Sequence, residues 1–566
     1  MGRQAPPRRR RRGRRRRLLT RSLPLVALAV VAFAAGIILA SQPGQAQRQL
    51  VTRYVEDWTR SDYARMYALL DAASRARVTE PAFARSVERA ADTATLQSLA
   101  LIRVGSQRGS TIPATLRVRT RLWGMLRETL LVVLSGSDSA PHVHLSRTLL
   151  FPGLRGNERL HRVITLPPRA TLLASDRTPL AQGPQRISPI PDVAGQIVGT
   201  LGPIPPELAS VYAARGYPST AQVGLDGLER IFQDRLAGQP GGTLYAGRRT
   251  LATVAPLGSA PVQTTIVPAL ERDAVAALGG QYAGIVVMNP RTGALEALAG
   301  IAFSDVQPPG STMKIVTAAA ALSAGLATLG TTFPIQSSAT ISGYTMQNAN
   351  GEACGGTLLN AFAVSCNSVF APLGVRVGAQ RLVAMADRFG FNQPPSILGA
   401  AESTIPSARS IGDDLAVGSS AIGQGLVQAT PLEMTDVAAT VAMGGRRPVP
   451  TLLAHQRPRF VRVMSPHVAH ELRQMMLAVV SFGTGVPAQI PGVQVAGKTG
   501  TAELRSTVNP NDPNAGSPKN TDAWFVAFAP ADHPRVAAGA LFPNQGAGAT
   551  AAAPPVRQVL VSALAR

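Results

Sequence analysis

Pro308-Pro309-Gly310-Ser311-Thr312-Met313-Lys314 is the stretch on which the reading of this chain turns. Two prolines and a glycine break the chain, and a helix-forming pattern then runs from Ser311 through Ile315-Val316-Thr317 into an alanine-rich segment. A serine at a helix start with a lysine three residues later places both side chains on one face, about a turn apart. The helix N-terminus also aims backbone N–H groups at any negative charge that forms beside the serine. This is the geometry of an acylatable serine activated by a lysine base. The plain alternative is an N-cap serine and a chance lysine. Lysine usage bears on that choice. Of 56 Lys plus Arg, lysine stands only at Lys314, Lys498 and Lys519. Arginine cannot surrender its proton inside a protein, whereas a desolvated lysine can, so a base must be lysine.

Around this stretch the pattern is that of an α+β domain over 261–566. Gly284–Met288 and Ala294–Leu298 flank Asn289-Pro290-Arg291-Thr292-Gly293, which reads as a hairpin turn. A long helical region is expected from Ser311 to about Val480, and strand patterns return at 493–498, 523–528 and 536–541. Two strands, a helical insert and three strands give a five-stranded antiparallel sheet with flanking helices. A site would form between the sheet edge and the helical lobe.

Two further clusters fall where such a site needs them. Ser365-Cys366-Asn367 offers a hydroxyl and an amide, and Lys498-Thr499-Gly500-Thr501, expected at a strand end, offers a cation, two hydroxyls and a glycine. Each is weak alone. In this order, with two of the three lysines inside them, they form the set found in penicillin-binding proteins and serine β-lactamases.

From about Gln47 to the C-terminus the chain resembles a class B (monofunctional) penicillin-binding protein, on "GSTMK", "SCNSVFAPLG", "GSSAIGQGLVQATPLEM", "AGKTGTAE" and "DAWFVAFAP". The resemblance implies a D,D-transpeptidase of peptidoglycan synthesis. Ser311 would attack the carbonyl between the two terminal D-alanines of a stem peptide, and Lys314 would take its proton. Ser365 would relay a proton to the leaving amine, Asn367 would hold a substrate amide, and Lys498 would supply field and orientation. The hydroxyls of Thr499 and Thr501 would bind the terminal carboxylate, Gly500 would let substrate lie close to the backbone, and the backbone N–H groups of Ser311 and Thr501 would form the oxyanion hole. β-Lactams would acylate Ser311. With no glycosyltransferase segment upstream, a membrane glycan polymerase is the implied partner. The alternatives are a D,D-carboxypeptidase, a non-catalytic β-lactam-binding sensor or scaffold, and a serine β-lactamase. One departure stands in the connecting segment. The family's Arg-Gly followed by Asp-Arg reads here Arg169-Ala170…Asp176-Arg177, which leaves the local turn open.

Upstream, 155–260 is rich in Pro and Gly and reads as a connecting, dimerisation-like domain. Residues 47–154 combine helical spacing at Leu50, Tyr54, Val55 and Trp58 with strand character at 99–104, 115–119 and 129–134. That segment resembles the nuclear-transport-factor-2-like (NTF2-like) domain found in some relatives. The net charge of +24 invites a nucleic-acid reading, but much of it sits in the arginine block ending at Arg17. That block precedes the apolar run 23–41, so 1–22 reads as a cytoplasmic tail and 23–41 as a transmembrane anchor. The catalytic part is then expected outside the bacterial cell membrane, with no nucleic-acid partner. Cys354 and Cys366 leave two readings open, a disulfide or two buried thiols. No metal-ligand spacing and no phosphate loop is present, so no cofactor and no metal is expected.

Overall fold

The computed structural model describes residue 2, residues 44–503 and residues 520–566. The expected tail and the transmembrane anchor at 23–41 lie outside the described residues, as does Lys519. Among the described residues no helix is long and apolar enough to cross a membrane. The chain divides into two compact units. One comprises residues up to Pro167 with Ile204–Ala221 and Gln239–Leu257; the other comprises Pro168–Pro203, Gln222–Gly238 and Gly258–Arg566. Segment 155–260 is thus shared between the units.

In the first unit, helix α1 (Gln45–Thr59) buries Leu50, Val51, Tyr54, Val55 and Trp58, an i, i+3/i+4 stripe. Two short helices follow, capped by Asp62 and Asp71, and then α2 (Glu80–Thr93) with a proline in its first turn. Strands β1 (Leu96–Val104), β2 (Thr111–Thr120), β3 (Met125–Ser137) and β4 (Ala140–His144) form an antiparallel sheet in sequence order. β2 shows why it lies there: Ile112, Ala114, Leu116 and Val118 are buried on one face at period 2. A second antiparallel sheet joins β5 (Leu160–Thr165), β6 (Gly241–Ala246) and β7 (Arg249–Val254), with β6 in the middle.

In the second unit, Arg169 Nε and Arg186 Nε each reach the buried Glu229 carboxylate at 2.6 Å. The departure at Ala170 is accommodated: positive φ falls instead on Arg177, at 69°, and Ala170 needs none. The turn closes through Ala174 N–H to Thr178 O and Thr178 N–H to Asp176 Oδ1.

The catalytic-type sheet contains β8 (Gly284–Asn289), β9 (Ala294–Gly300), β10 (Ala496–Glu503), β11 (Thr521–Ala529) and β12 (Val536–Phe542), antiparallel in the order β9-β8-β12-β11-β10. Both faces are covered. Ile285, Val287, Phe525 and Ala540 pack with α3 (Pro268–Leu278) and the C-terminal helix Ala553–Leu564. Val286, Met288, Trp524 and Val526 belong to the core shared with the helical lobe. At the centre of that lobe, α4 (Lys314–Ser323) is buried on every side from Lys314 to Leu322. The lobe is less purely helical than its sequence suggests. Thr332–Gln336 pairs with Cys354–Thr357, Ser338–Ile341 with Tyr344–Gln347, and Arg446–Pro448 with Phe460–Arg462. Such pieces, three to five residues long, sit at or below the short end of what period-2 alternation can reveal.

Candidate active site

Ser311 sits in a single 3-10 turn, Gly310–Met313, that leads into α4 and makes Lys314 the first α-helical residue. The turn is held from two sides. Gly310 N–H donates to Gly423 O at 2.9 Å, and Gly310 has φ 51°. A Cβ there would lie 2.8 Å from Thr501 O, so only glycine lets the serine turn approach β10 this closely.

The second cluster joins two helices. α5 (Leu358–Ala363) ends, Ser365 adopts φ 63°, and Asn367 opens α6 (Asn367–Val377). Positive φ at a non-glycine residue is uncommon and gathers at functional sites. Beside it, Cys354 and Cys366 are paired as a disulfide with Cα atoms 5.8 Å apart, the first of the two readings left open. The bond ties the Cys354–Thr357 strand to the residue between Ser365 and Asn367.

Lys498, Thr499, Gly500 and Thr501 lie within β10, not at its end as expected; the strand continues to Glu503. β10 is an edge strand. Lys498 pairs with Val526 and Gly500 with Trp524, so both share the face packed on the helical lobe; Thr499 and Thr501 share the other. Gly500 is required by packing: a Cβ there would meet Pro309 O at 2.8 Å.

These pieces converge on two amines. Lys314 Nζ donates to Ser365 O at 2.6 Å and Asn367 Oδ1 at 2.7 Å, and lies 3.3 Å from Ser365 Oγ. Lys498 Nζ donates to Ser365 Oγ at 2.8 Å and Thr499 O at 3.0 Å. Both lysines are fully buried. Burial, and secondarily the charge of Lys498, hold Lys314 well below the usual amine range. Burial alone lowers Lys498 to about 7. A neutral Lys314 has two hydrogens, and its two short contacts use both on oxygens that can only accept. Its lone pair is then free for a hydroxyl proton. Among the described residues the Ser311 hydroxyl makes no hydrogen bond of its own, so it has none to break before giving up that proton.

Other residues of the site were not singled out as site residues by the sequence, although Gln424 lies within the GSSAIGQGLVQATPLEM stretch. Thr484 Oγ1 lies 2.5 Å from Thr499 Oγ1, and Asn367 Nδ2 donates to Gln347 O at 3.1 Å. With its amide turned to satisfy both atoms, Gln424 exchanges hydrogen bonds with the backbone of Glu503 on β10. Only their place beside the recognised clusters reveals Thr484 and Gln347.

Residues 283–561 match the family "Penicillin binding protein transpeptidase domain", and residues 178–251 match "Penicillin-binding Protein dimerisation domain". The chain is a class B penicillin-binding protein. Among relatives of this penicillin-binding protein, the peptidoglycan D,D-transpeptidase PbpA of Mycobacterium tuberculosis is 38% identical over 294 residues, 46% of this chain and 56% of the relative. The alignment thus spans little more than half of that protein. The peptidoglycan D,D-transpeptidase MrdA of Acinetobacter baumannii is 27% identical over 65% of this chain and 64% of its own. The crystal structure of PBPA from M. tuberculosis is 29% identical, with a TM-score of 0.56 over 70% of this chain and 99% of that one. A penicillin G acyl-enzyme complex of penicillin-binding protein A from M. tuberculosis is 28% identical, with a TM-score of 0.54 over 70% of this chain and 100% of that one.

Proposed function

We propose that this penicillin-binding protein is a peptidoglycan D,D-transpeptidase that works through an acyl-enzyme on Ser311. The observation that carries the reading is the Ser365 hydroxyl placed between two buried amines, at 2.8 Å and 3.3 Å. Neutral Lys314 takes the Ser311 proton as Oγ attacks the carbonyl carbon of the terminal D-Ala–D-Ala bond. The backbone N–H groups of Ser311 and Thr501 hold the oxyanion, a contribution typically of about 3 kcal/mol per donor. As the C–N bond breaks, the proton passes from Lys314 through the Ser365 hydroxyl to the departing nitrogen, and D-alanine leaves. Asn367 holds a substrate amide. The hydroxyls of Thr499 and Thr501 hold the terminal carboxylate, Lys498 supplies field and orientation, and Gly500 keeps the strand close to the serine turn. In the second half, the amine of another stem peptide attacks the ester, and its proton returns to Ser311 Oγ. β-Lactams acylate the same serine and stay.

The reading extends to the rest of the chain. Residues 23–41 anchor it in the bacterial cell membrane with 1–22 inside, and the domain at 47–154 is NTF2-like. The supports are the arginine block before an apolar run and the helix-then-sheet order of 47–154. A membrane glycan polymerase supplies the strands to be cross-linked.

Fluorescent penicillin decides the acylation step: the parent should carry a stable adduct, and Ser311→Ala and Lys314→Arg none. An unlabelled parent, or release within seconds, overturns the reading. Incubation with a stem pentapeptide and an acceptor amine decides the second step. Cross-linked product supports the transpeptidase, and tetrapeptide alone indicates a D,D-carboxypeptidase.

A further inference from the structure

A cavity of about 970 Å³ opens within the first unit, among α2, β3 and residues 144–160. That size matches sites for small organic ligands, typically about 300–1,000 Å³. Its wall is apolar along Phe83 and Ala90 of α2, Leu131 and Val133 of β3, and Leu150 and Leu154. Leu130 and Val132 are fully buried in the domain core, whereas Leu131 and Val133 between and beside them remain partly exposed. The strand therefore presents a second apolar stripe that nothing among the described residues covers completely. Hydrocarbon seated there would remove that stripe from water.

The polar part of the wall is basic, with Arg89, Arg147 and Arg159 against Glu158 alone. Glu158 is already engaged, by Arg249 at 2.8 Å and by the Arg155 N–H. Arg89 is exposed and turned to Arg85 O and Ser86 Oγ. Arg159 is exposed and Arg147 partly buried, and among the described residues neither guanidinium makes a hydrogen bond or ion pair. His144 lines the same wall, its Nδ1 fixed 2.8 Å from Asp71 Oδ2, which also accepts the Ser135 hydroxyl. A planar fork of unused donors above an apolar stripe matches a carboxylate or phosphate carried on a hydrocarbon body.

We propose that this cavity is a binding site for an amphipathic anion, its apolar body against Leu131, Val133 and Leu150 and its carboxylate or phosphate head on Arg147. The site is separate from the chemistry at Ser311, and its existence does not depend on that reading.

The test uses the full chain held in amphipol and a diazirine-bearing octanoate as photoprobe, with adducts mapped by peptide mass spectrometry. Saturable labelling is expected in peptides covering 78–93 and 131–160. Free octanoate and octyl phosphate should displace it, and whichever does so at lower concentration identifies the preferred head group. Neither 1-octanol nor inorganic phosphate should displace it. Arg147→Ala should weaken labelling by about tenfold or more, the loss expected for a charge-assisted hydrogen bond. Leu131→Trp, which keeps the arginine and fills the cavity, should exclude the probe. Acylation by penicillin should change nothing. No saturable labelling in those peptides, equal displacement by 1-octanol, labelling that survives both variants, or loss of labelling on acylation would each overturn the proposal.

Discussion

The Ser365 hydroxyl accepts a hydrogen bond from Lys498 Nζ at 2.8 Å, although the two residues are 133 positions apart. Lys314 Nζ lies on the other side at 3.3 Å. Removing this bridge breaks the only short hydroxyl path between the two amines among the described residues. Ser365→Ala should therefore slow acylation by penicillin by roughly 10²–10⁴-fold, the usual loss for a proton-transfer group. Stopped-flow acylation with a chromogenic cephalosporin measures it, and a change under about threefold would remove Ser365 from the relay.

Lys498 makes the site pH-sensitive. Its proton is lost near pH 7 in the folded chain and near 10.5 otherwise. Between those values the unfolded chain binds more protons, so this group makes the fold more stable as pH rises from 7 toward 10.5. Lys498→Met removes the burden, and at pH 7 should stabilise by on the order of 1–2 kcal/mol while acylation collapses. Melting curves of parent and variant should converge as the pH approaches 10. A variant less stable than the parent at pH 7 would show that Lys498 is not held against its charge.

Gly310→Ala tests how closely the serine turn must approach β10. The added Cβ would lie 2.8 Å from Thr501 O and 3.0 Å from Ala502 N, and the left-handed φ adds strain. Acylation should fall by about 10²-fold or more, because displacement of a nucleophile by about 1 Å costs that much. Titration with penicillin separates slow acylation from loss of folded protein.

The Cys354–Cys366 bridge closes a loop with a sequence separation of 12. Chain entropy alone assigns such a loop about 3 kcal/mol. Replacing both cysteines by serine should lower the melting temperature by several degrees and slow acylation, since Ser365 is left to hold its positive φ unaided. Unchanged acylation would make the bridge purely a matter of stability.

Glu229 is buried between Arg169 and Arg186. Glu229→Gln keeps the shape and removes the charge, leaving two guanidinium groups poorly matched. A loss of about 3–5 kcal/mol is expected, measured by denaturant unfolding, with the m-value showing whether one or both compact units respond.

Much of this site was legible because its chemistry is written in residue identity. Three lysines in a chain rich in arginine single out Lys314 and Lys498 as groups able to lose a proton. Local periodicity likewise marks the strands and central helix, because side chains two or three to four residues apart share a face whatever the rest of the chain does. It could not show Thr484 against Thr499, the backbone of Gln347 holding Asn367, the disulfide, or the short paired strands of the helical lobe. Nor could it show that Gly500 is also demanded by the close approach of Pro309 O.

Sequence alone determined which groups could act and roughly where the strands and helices run. The tertiary structure decided that Lys314 meets Ser365, 51 residues away, and that Ser365 meets Lys498, 133 residues away. The physical reason is that such distances come from packing α4 against the sheet and the lobe. That packing buries both amines, and burial rather than spacing turns two ordinary lysines into groups that lose a proton far more readily, Lys498 at about 7 and Lys314 well below the usual amine range.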